Sequence, residues 1–216
     1  EIAKLNNWVE VDLIDEKGMT VLLFAASNGC TNTKVYDLLI AKGANPKKEK
    51  SRSGANVILL AAPHANNLEL LTYFDKKGAT FKSVDTEGNG LIEYALQTGN
   101  TEIVKQLQQE VKINPTTKNA VLFAAQGQRN KINGVEVFQF IENQLKLPLT
   151  TTNNNKQNVF HILAGKCADL ETLSYLKGKV DFKARDEKGN LPIHYAAKSL
   201  KNQEIVKNWI GWYEEE

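Results

Sequence analysis

The stretch that decides the fold is DEKGNLPIHYAA at residues 186–197, because a close copy, DEKGMTVLLFAA, occupies residues 15–26. Five repeats of about 34 residues would span the distance between the two copies. Diverged copies of the apolar part lie between them, at 56–62, 90–96, 119–125 and 158–164. The sequence therefore predicts an array of six similar repeats.

The glycine that ends the DEKG tetrapeptide anchors the alignment of these repeats. Its equivalents are Gly18, Gly54, Gly88, Thr117, Lys156 and Gly189. The predicted boundaries of repeats 1 to 6 are 15–50, 51–84, 85–113, 114–152, 153–185 and 186–216, with 1–14 as a partial repeat or N-terminal cap. The surplus length of repeat 4 falls mainly in 126–134, which we expect to be a loop.

Each repeat carries a second apolar segment, in which apolar residues recur at steps of three and four as on a one-sided helix. Gly43 and Gly78 follow two of these segments and are predicted to be left-handed caps, as is Gly178. A lone helix pair of this size cannot bury its apolar face, whereas stacked pairs form a continuous core. The predicted repeat is a turn, a short alanine-rich helix, a loop, a second helix and an extended return.

These residues resemble the ankyrin repeat, a unit of about 33 residues marked by Thr-Pro-Leu-His-x-Ala. Repeat 6 is the most similar, with Asp186, Gly189 and LPIHYAA at 191–197. The resemblance covers residues 11–210, although only repeat 6 keeps the Pro and repeat 4 lacks both Asp and Gly at its turn. It implies an all-α, ankyrin-type solenoid of stacked helix-turn-helix repeats with short β-turn or hairpin connections, forming one domain over 1–216.

Residues 1–14 look like the second helix and return strand of a preceding repeat, so we expect the chain to be cut from a longer array. The chain starts at Glu1 without a Met, which leaves a cytoplasmic location and export with removal of a leader equally open.

Composition excludes several classes of protein. The chain has 42% hydrophobic and 24% charged residues, values typical of a folded protein. Its longest apolar runs, 21–26 and 57–62 among them, are far shorter than the about 20 residues of a membrane-spanning helix. A formal net charge of +2 is too small to favour nucleic acid. We expect neither membrane insertion nor nucleic-acid binding.

Candidate chemical residues are few. Cys30 and Cys167 form no disulfide framework or zinc pattern. By the resemblance, His161 and His194 hold the repeat's own His position, where the side chain hydrogen-bonds in the turn before the first helix. His64 is expected to be exposed in a loop. The sequence therefore predicts no catalytic, metal or cofactor site.

One set of equivalent positions in the first helices carries a large residue in every repeat: Phe24, Leu60, Tyr94, Phe123, Ile162 and Tyr195. Packing between repeats explains the set, and a binding groove is the alternative.

The resemblance implies two sets of partner-binding residues on a concave face. The first set lies at the turn tips: Glu16, Lys17, Met19, Arg52, Ser53, Thr86, Glu87, Asn89, Glu187, Lys188 and Asn190. The second set ends the first helices: Ser27, Asn28, His64, Gln97, Gln126 and Lys198.

The functional hypothesis is a non-enzymatic, monomeric protein–protein interaction module that binds another protein through this face. One alternative is a recognition domain of a longer protein whose effector or enzymatic part is missing from this sequence. Another is a small-ligand-binding or enzymatic protein, which a deep enclosed pocket would favour. The sequence alone does not identify the partner.

Overall fold

The computed structural model describes residues 11–127, 134–166, 169–198 and 203–214, and every regular element within them is helical. This confirms the all-α prediction, since the described ranges contain no strand. The twelve helices are α1 (Val21–Ser27), α2 (Thr33–Ala41), α3 (Val57–Ala61), α4 (Leu68–Lys76), α5 (Leu91–Leu96), α6 (Thr101–Gln106), α7 (Ala120–Gln126), α8 (Gly134–Asn143), α9 (Val159–Ala164), α10 (Leu170–Lys177), α11 (Pro192–Ala197) and α12 (Gln203–Glu214).

Two helices fall in each of the six predicted repeats. A 3₁₀ turn, Ala62–His64, continues α3, and a π turn, Leu107–Val111, continues α6. Most of the predicted partial repeat (residues 1–10), most of the predicted loop in repeat 4 (128–133) and Cys167 lie outside the described residues.

Polar side chains cap the starts of three of the first helices. Leu23 N–H donates to Thr20 Oγ1 at α1, and Leu59 N–H donates to Asn56 Oδ1 at α3, both at 3.3 Å. At α9, Asn158 Oδ1 accepts from Phe160 N–H at 3.1 Å and from His161 N–H at 3.3 Å. Each such cap contributes about 1 kcal/mol. Because these side chains accept backbone N–H groups, helices of only five to seven residues are able to form.

The ends of the second helices follow the sequence in two of three cases. Gly43 and Gly78 have φ of 110° and 96°, so both left-handed caps are confirmed. The prediction for Gly178 is wrong, because its φ is −80°. Beyond it, the N–H groups of Lys179 and Val180 both donate to Leu176 O at 2.9 Å, so the chain leaves α10 through a right-handed turn.

The chain divides into two compact units, each with its own packed helices. The first comprises Glu1–Ala95 with Glu102–Thr116, and in it α1 packs on α3 and α3 on α4. The second comprises Leu96–Thr101 with Thr117–Glu216. There α7 packs on α9, α9 on α11, α8 on α10 and α11 on α12. Large apolar side chains such as Phe74 in the first unit and Phe160 and Trp209 in the second are fully buried.

Candidate functional site

Five of the six turns share one backbone conformation. In repeat 1, Asp15 N–H donates to Met19 O at 3.1 Å and Gly18 N–H donates to Asp15 O at 2.9 Å. The same pair of bonds closes the turns that start at Ser51, Asp85, Asn153 and Asp186. Lys156, aligned with the anchor glycines, has the left-handed φ of 58° that they have. In repeat 4, which lacks Asp and Gly, Asn119 N–H donates to Thr117 Oγ1 at 3.1 Å.

The first side chain of the turn holds its tip in place. Asp15 Oδ1 accepts from Lys17 N–H and Met19 N–H, both at 2.8 Å. Equivalent bonds reach Asp85, Asn153 and Asp186 in the later turns. Asp and Asn mimic a backbone turn in this way, so the chain itself fixes the backbone of the tip.

Neighbouring tips are joined through their backbones. Arg52 N–H donates to Lys17 O at 3.0 Å, and Thr86 N–H donates to Ser53 O at 2.9 Å. These tips, residues 16–19, 52–53 and 86–87, form a row that we call the tip row. In the second compact unit, Glu187 N–H donates to Asn155 O at 2.9 Å in the same way.

The predicted tip residues differ in how far they are exposed to solvent. Six are exposed in the first compact unit and two in the second: Glu16, Lys17, Arg52, Ser53, Thr86 and Glu87, then Glu187 and Lys188. Met19 and Asn190 are half-buried. Asn89 is only 1% exposed, and its amide donates to Asp85 Oδ1 and Oδ2 at 3.1 and 3.0 Å. Its side chain therefore holds the turn together from inside.

A tyrosine contact that the sequence analysis missed fixes the turn carboxylate in two repeats. Tyr94 OH donates to Asp85 Oδ2 at 3.1 Å, and Tyr195 OH donates to Asp186 Oδ2 at 2.5 Å. The signal was available as Asp, Asn and Tyr at spacings of four and five, in 85/89/94 and 186/190/195. These two members of the aromatic set therefore bind their own turns.

The Tyr195 hydroxyl lowers the pKa of the Asp186 carboxyl well below its usual range, chiefly through this hydrogen bond. The same bond, more than burial, raises the pKa of Tyr195. Burial is the main cause that raises the pKa of Tyr94. The turn carboxylate of repeat 6 thus stays ionised, and its tyrosine stays a neutral donor.

The predicted histidine role is seen in the structure, and an acidic residue shares it. The backbone N–H groups of Asn158 and Leu191 lie 3.2 and 3.1 Å from Nδ1 of His161 and His194. At the equivalent place in repeat 3, Gly90 N–H donates to Glu93 Oε2 at 3.0 Å. Glu93 is fully buried, so its carboxylate serves the start of α5 and is not open to solvent.

Two of the predicted residues at the first-helix ends, Ser27 and His64, meet in the first compact unit. His64 Nε2 lies 3.1 Å from Ser27 O, and the ring packs on Gly29, so His64 is half-buried and the expectation of an exposed loop is wrong. Asn28 is exposed, and its amide donates to Phe24 O at 2.9 Å.

In the second compact unit, the backbone at Gln97 lies directly against Gly127, with no room for a side chain between them. Gln97 is half-buried, whereas Gln126 and Lys198 are exposed. The Lys198 ammonium lies 5.7 Å from the centre of the Tyr195 ring. The exposed members of this set are thus Asn28, Gln126 and Lys198.

Two of the surface cavities that described residues line lie in the first compact unit. One of about 370 Å³ is lined by Leu13, Ile14, Asp15, Met19, Thr20, Val21 and Phe24. The other, of about 210 Å³, is lined by Phe81, Lys82, Ser83, Gly90, Leu91, Ile113, Asn114 and Thr116. Across the described residues, no three His, Cys, Asp or Glu side chains are placed to hold a metal ion. No helix in the described part of the chain has the length and apolar character to cross a membrane.

Comparison with protein-family models and with curated proteins finds no match, so the function has to be argued from the chain's own residues.

Proposed function

We propose that this chain is a non-enzymatic ankyrin-type repeat protein that binds another protein through its tip row. The observation that carries the proposal is the backbone bonding from tip to tip, Lys17 to Arg52 and Ser53 to Thr86. These bonds join backbone atoms, and the Thr86 hydroxyl adds a second bond to Ser53 O at 2.9 Å, so the shape of the row depends little on the charged head groups of Glu16, Lys17 and Arg52. An ankyrin-type solenoid, with its concave face formed by such tips, is the arrangement that accounts for this pattern.

Preorganisation is the physical advantage of such a surface. Binding costs less when loops and side chains are already ordered, because less conformational freedom is lost. Asp15 and Asp85 hold their turns through two backbone bonds each, so the tips do not need a partner to fix their shape.

The charge pattern of the tip row favours a folded protein over a polyanion. Glu16 and Glu87 are acidic, and Lys17 and Arg52 are basic, so the row carries both signs of charge, with the basic residues between the two acidic ones. Such a mixed pattern selects a partner with the complementary order and penalises other orders. The proposed partner therefore presents a mixed polar surface, and we propose that it binds a monomer of this chain without a cofactor.

Quantitative affinity capture with charge-reversed variants tests this function. The tip variant combines Glu16→Lys, Arg52→Glu and Glu87→Lys. The matched control changes the charge by the same amount at three other exposed positions of the same compact unit, Glu69→Lys, Lys34→Glu and Glu110→Lys.

We expect a partner recovered by the unaltered chain and the control to fall at least tenfold with the tip variant, a difference of about 1.4 kcal/mol. Equal recovery with the tip variant would reject the tip row as the binding surface. A partner lost equally from both variants would point to a surface outside the tips.

A further inference from the structure

Equivalent positions in the first helices differ in exposure, and the difference singles out repeat 1. Val21 begins α1 and is 42% exposed, whereas its equivalents Val57, Leu91 and Val159 are buried. Phe24 is 57% exposed, whereas its equivalent Tyr94 is buried. The sequence pattern is the same in each repeat, so the local sequence does not explain the exposure of α1.

The second helix of repeat 1 shows the same difference. Val35, the third residue of α2, is 39% exposed. The residues that begin the buried stretch at the equivalent place in α4, α6 and α10 are Leu70, Ile103 and Thr172, and all are buried. The open surface therefore extends over both helices of one repeat.

The segment that precedes repeat 1 lies against the end of α2, as the segment that precedes repeat 2 lies against the end of α4. A Cβ on Gly78, which ends α4, would lie 3.2 Å from Lys47. A Cβ on Gly43, the equivalent end of α2, would lie 3.8 Å from Val11, which is the equivalent of Lys47. The segment before repeat 1 thus contacts α2 as the segment before repeat 2 contacts α4.

We infer that the open face of α1 and α2, formed by Val21, Phe24, Val35 and Leu38, is a docking surface for a further helix hairpin built like the repeats of this chain. It continues the interface seen where α1 packs on α3, α7 on α9 and α9 on α11. The cavity of about 370 Å³ that Val21 and Phe24 help to line lies at this face. This surface is separate from the exposed tip residues, so the inference does not depend on the tips binding a partner.

The chemistry of the face fits such an occupant. Val21, Phe24, Val35 and Leu38 are all apolar, and all exceed a third exposure. Four exposed apolar side chains on two consecutive helices are typical of an interaction site. A hairpin with two apolar helices matches a patch that covers two helices, whereas a single helix or a charged ligand leaves part of it uncovered.

Duplication of repeat 1 within the full chain tests the inference directly. The tandem chain has residues 1–50 followed by residues 15–216, which keeps the natural spacing from one repeat to the next. The added repeat then lies in register over the original α1 and α2. Amide hydrogen exchange in the original helices is compared with that in the unmodified chain.

We expect exchange in the original α1 and α2 to slow at least tenfold. A matched tandem chain with Val21→Asp and Phe24→Asp in the original α1 only is expected to lose this protection. The same two substitutions in the unmodified chain serve as a folding control, monitored by circular dichroism. Because both side chains are exposed, we expect this variant to fold normally.

Unchanged exchange in the tandem chain, with the added repeat folded, would overturn the inference. Sedimentation of the unmodified chain tests the alternative occupant, which is a second copy of this chain. Concentration-dependent dimers that Val21→Asp and Phe24→Asp abolish would assign the face to a second copy and would also overturn it. Protection in the tandem chain together with a monomeric unmodified chain is the supporting result.

Discussion

Val21 and Val57 begin two helices with nearly the same sequence, VLLFAA and VILLAA, yet their surroundings are opposite. Val57 is fully buried in α3, which packs on α1, whereas Val21 is exposed on α1. Both helices start from a side-chain cap, so their local structure is the same. The comparison shows that packing against a neighbouring repeat, and not the local sequence pattern, decides how much an apolar residue contributes to the free energy of unfolding.

The largest expected effect comes from placing a charge at each of these two positions. Val57→Asp should lower the free energy of unfolding by about 3–5 kcal/mol, because an unpaired carboxylate would be buried. Val21→Asp should change it by less than about 0.5 kcal/mol, as for other surface positions. Urea denaturation followed by circular dichroism measures both. Equal losses would show that α1 is covered in solution.

Two turn glycines extend the comparison to the tips. Gly54 and Gly189 have φ of 79° and 77°, so Ala should cost about 1 kcal/mol at either position. A Cβ on Gly54 would lie 2.8 Å from Thr86 Cγ2 and 2.9 Å from Thr86 N, whereas one on Gly189 meets nothing within 4 Å. We therefore expect Gly54→Ala to lower the free energy of unfolding by about 1–3 kcal/mol more than Gly189→Ala does, as measured by thermal denaturation. A larger loss for Gly189→Ala than for Gly54→Ala would contradict the contact between the tip at Gly54 and the tip at Thr86.

His161 is a buried titratable side chain, so the pH dependence of stability tests its burial. Burial lowers the pKa of His161, and it outweighs the Asn190 carbonyl and the charges of Asp186 and Asp181, which raise it. The unfolded histidine titrates near 6.5, so the unfolded state binds more protons below that pH. The unfolding free energy should therefore fall as the pH drops from about 7 through the folded-state pKa.

The variant His161→Gln should show a shallower fall over this pH window. Denaturation at pH 8, where the histidine is neutral in both states, separates the lost cap from the titration. Identical slopes for the two proteins would show that His161 is not buried in solution.

The smallest expected effect is a gain. Phe24 is the equivalent of Tyr94 and Tyr195, and Asp15 is the equivalent of their partners Asp85 and Asp186. Phe24→Tyr should add a hydrogen bond to Asp15 and raise the unfolding free energy by about 0.5 kcal/mol, at the low end because the site is exposed. Leu60→Tyr is the control, since its turn begins with Ser51. A similar gain in the control would show that ring packing, not the carboxylate, is responsible.

Much of the fold was predictable because turn chemistry is local. The alignment on Gly18 placed Lys156 at an anchor position, and its φ of 58° agrees, although no glycine marks that position. Capping at Gly43 and Gly78 also follows from a single residue's freedom to adopt positive φ. Gly178 was missed because the bonds to Leu176 that set its conformation are formed by the residues after it.

The candidate site was predictable only in part. The exposed tips, such as Glu16 and Arg52, follow from their position in the turn. The buried Asn89 does not, because its environment depends on the amide bonds to Asp85. Glu93 was missed because a carboxylate replaces the imidazole in the same role. The exposure of Val21 depends on whether an adjacent repeat packs on α1, and the sequence of repeat 1 alone does not determine this.

The backbone bonds of the tip row have a consequence for how this surface changes over generations. Arg52 N–H and Thr86 N–H are present whatever the side chain, proline excepted, so replacement of the exposed head groups leaves the links between tips intact. At Arg52 the link is made by the backbone alone, whereas the Thr86 hydroxyl adds a side-chain bond to Ser53 O at 2.9 Å. If the tips bind a partner as proposed, a lineage of such chains is free to change Arg52 at little cost in stability, and less free to change Thr86.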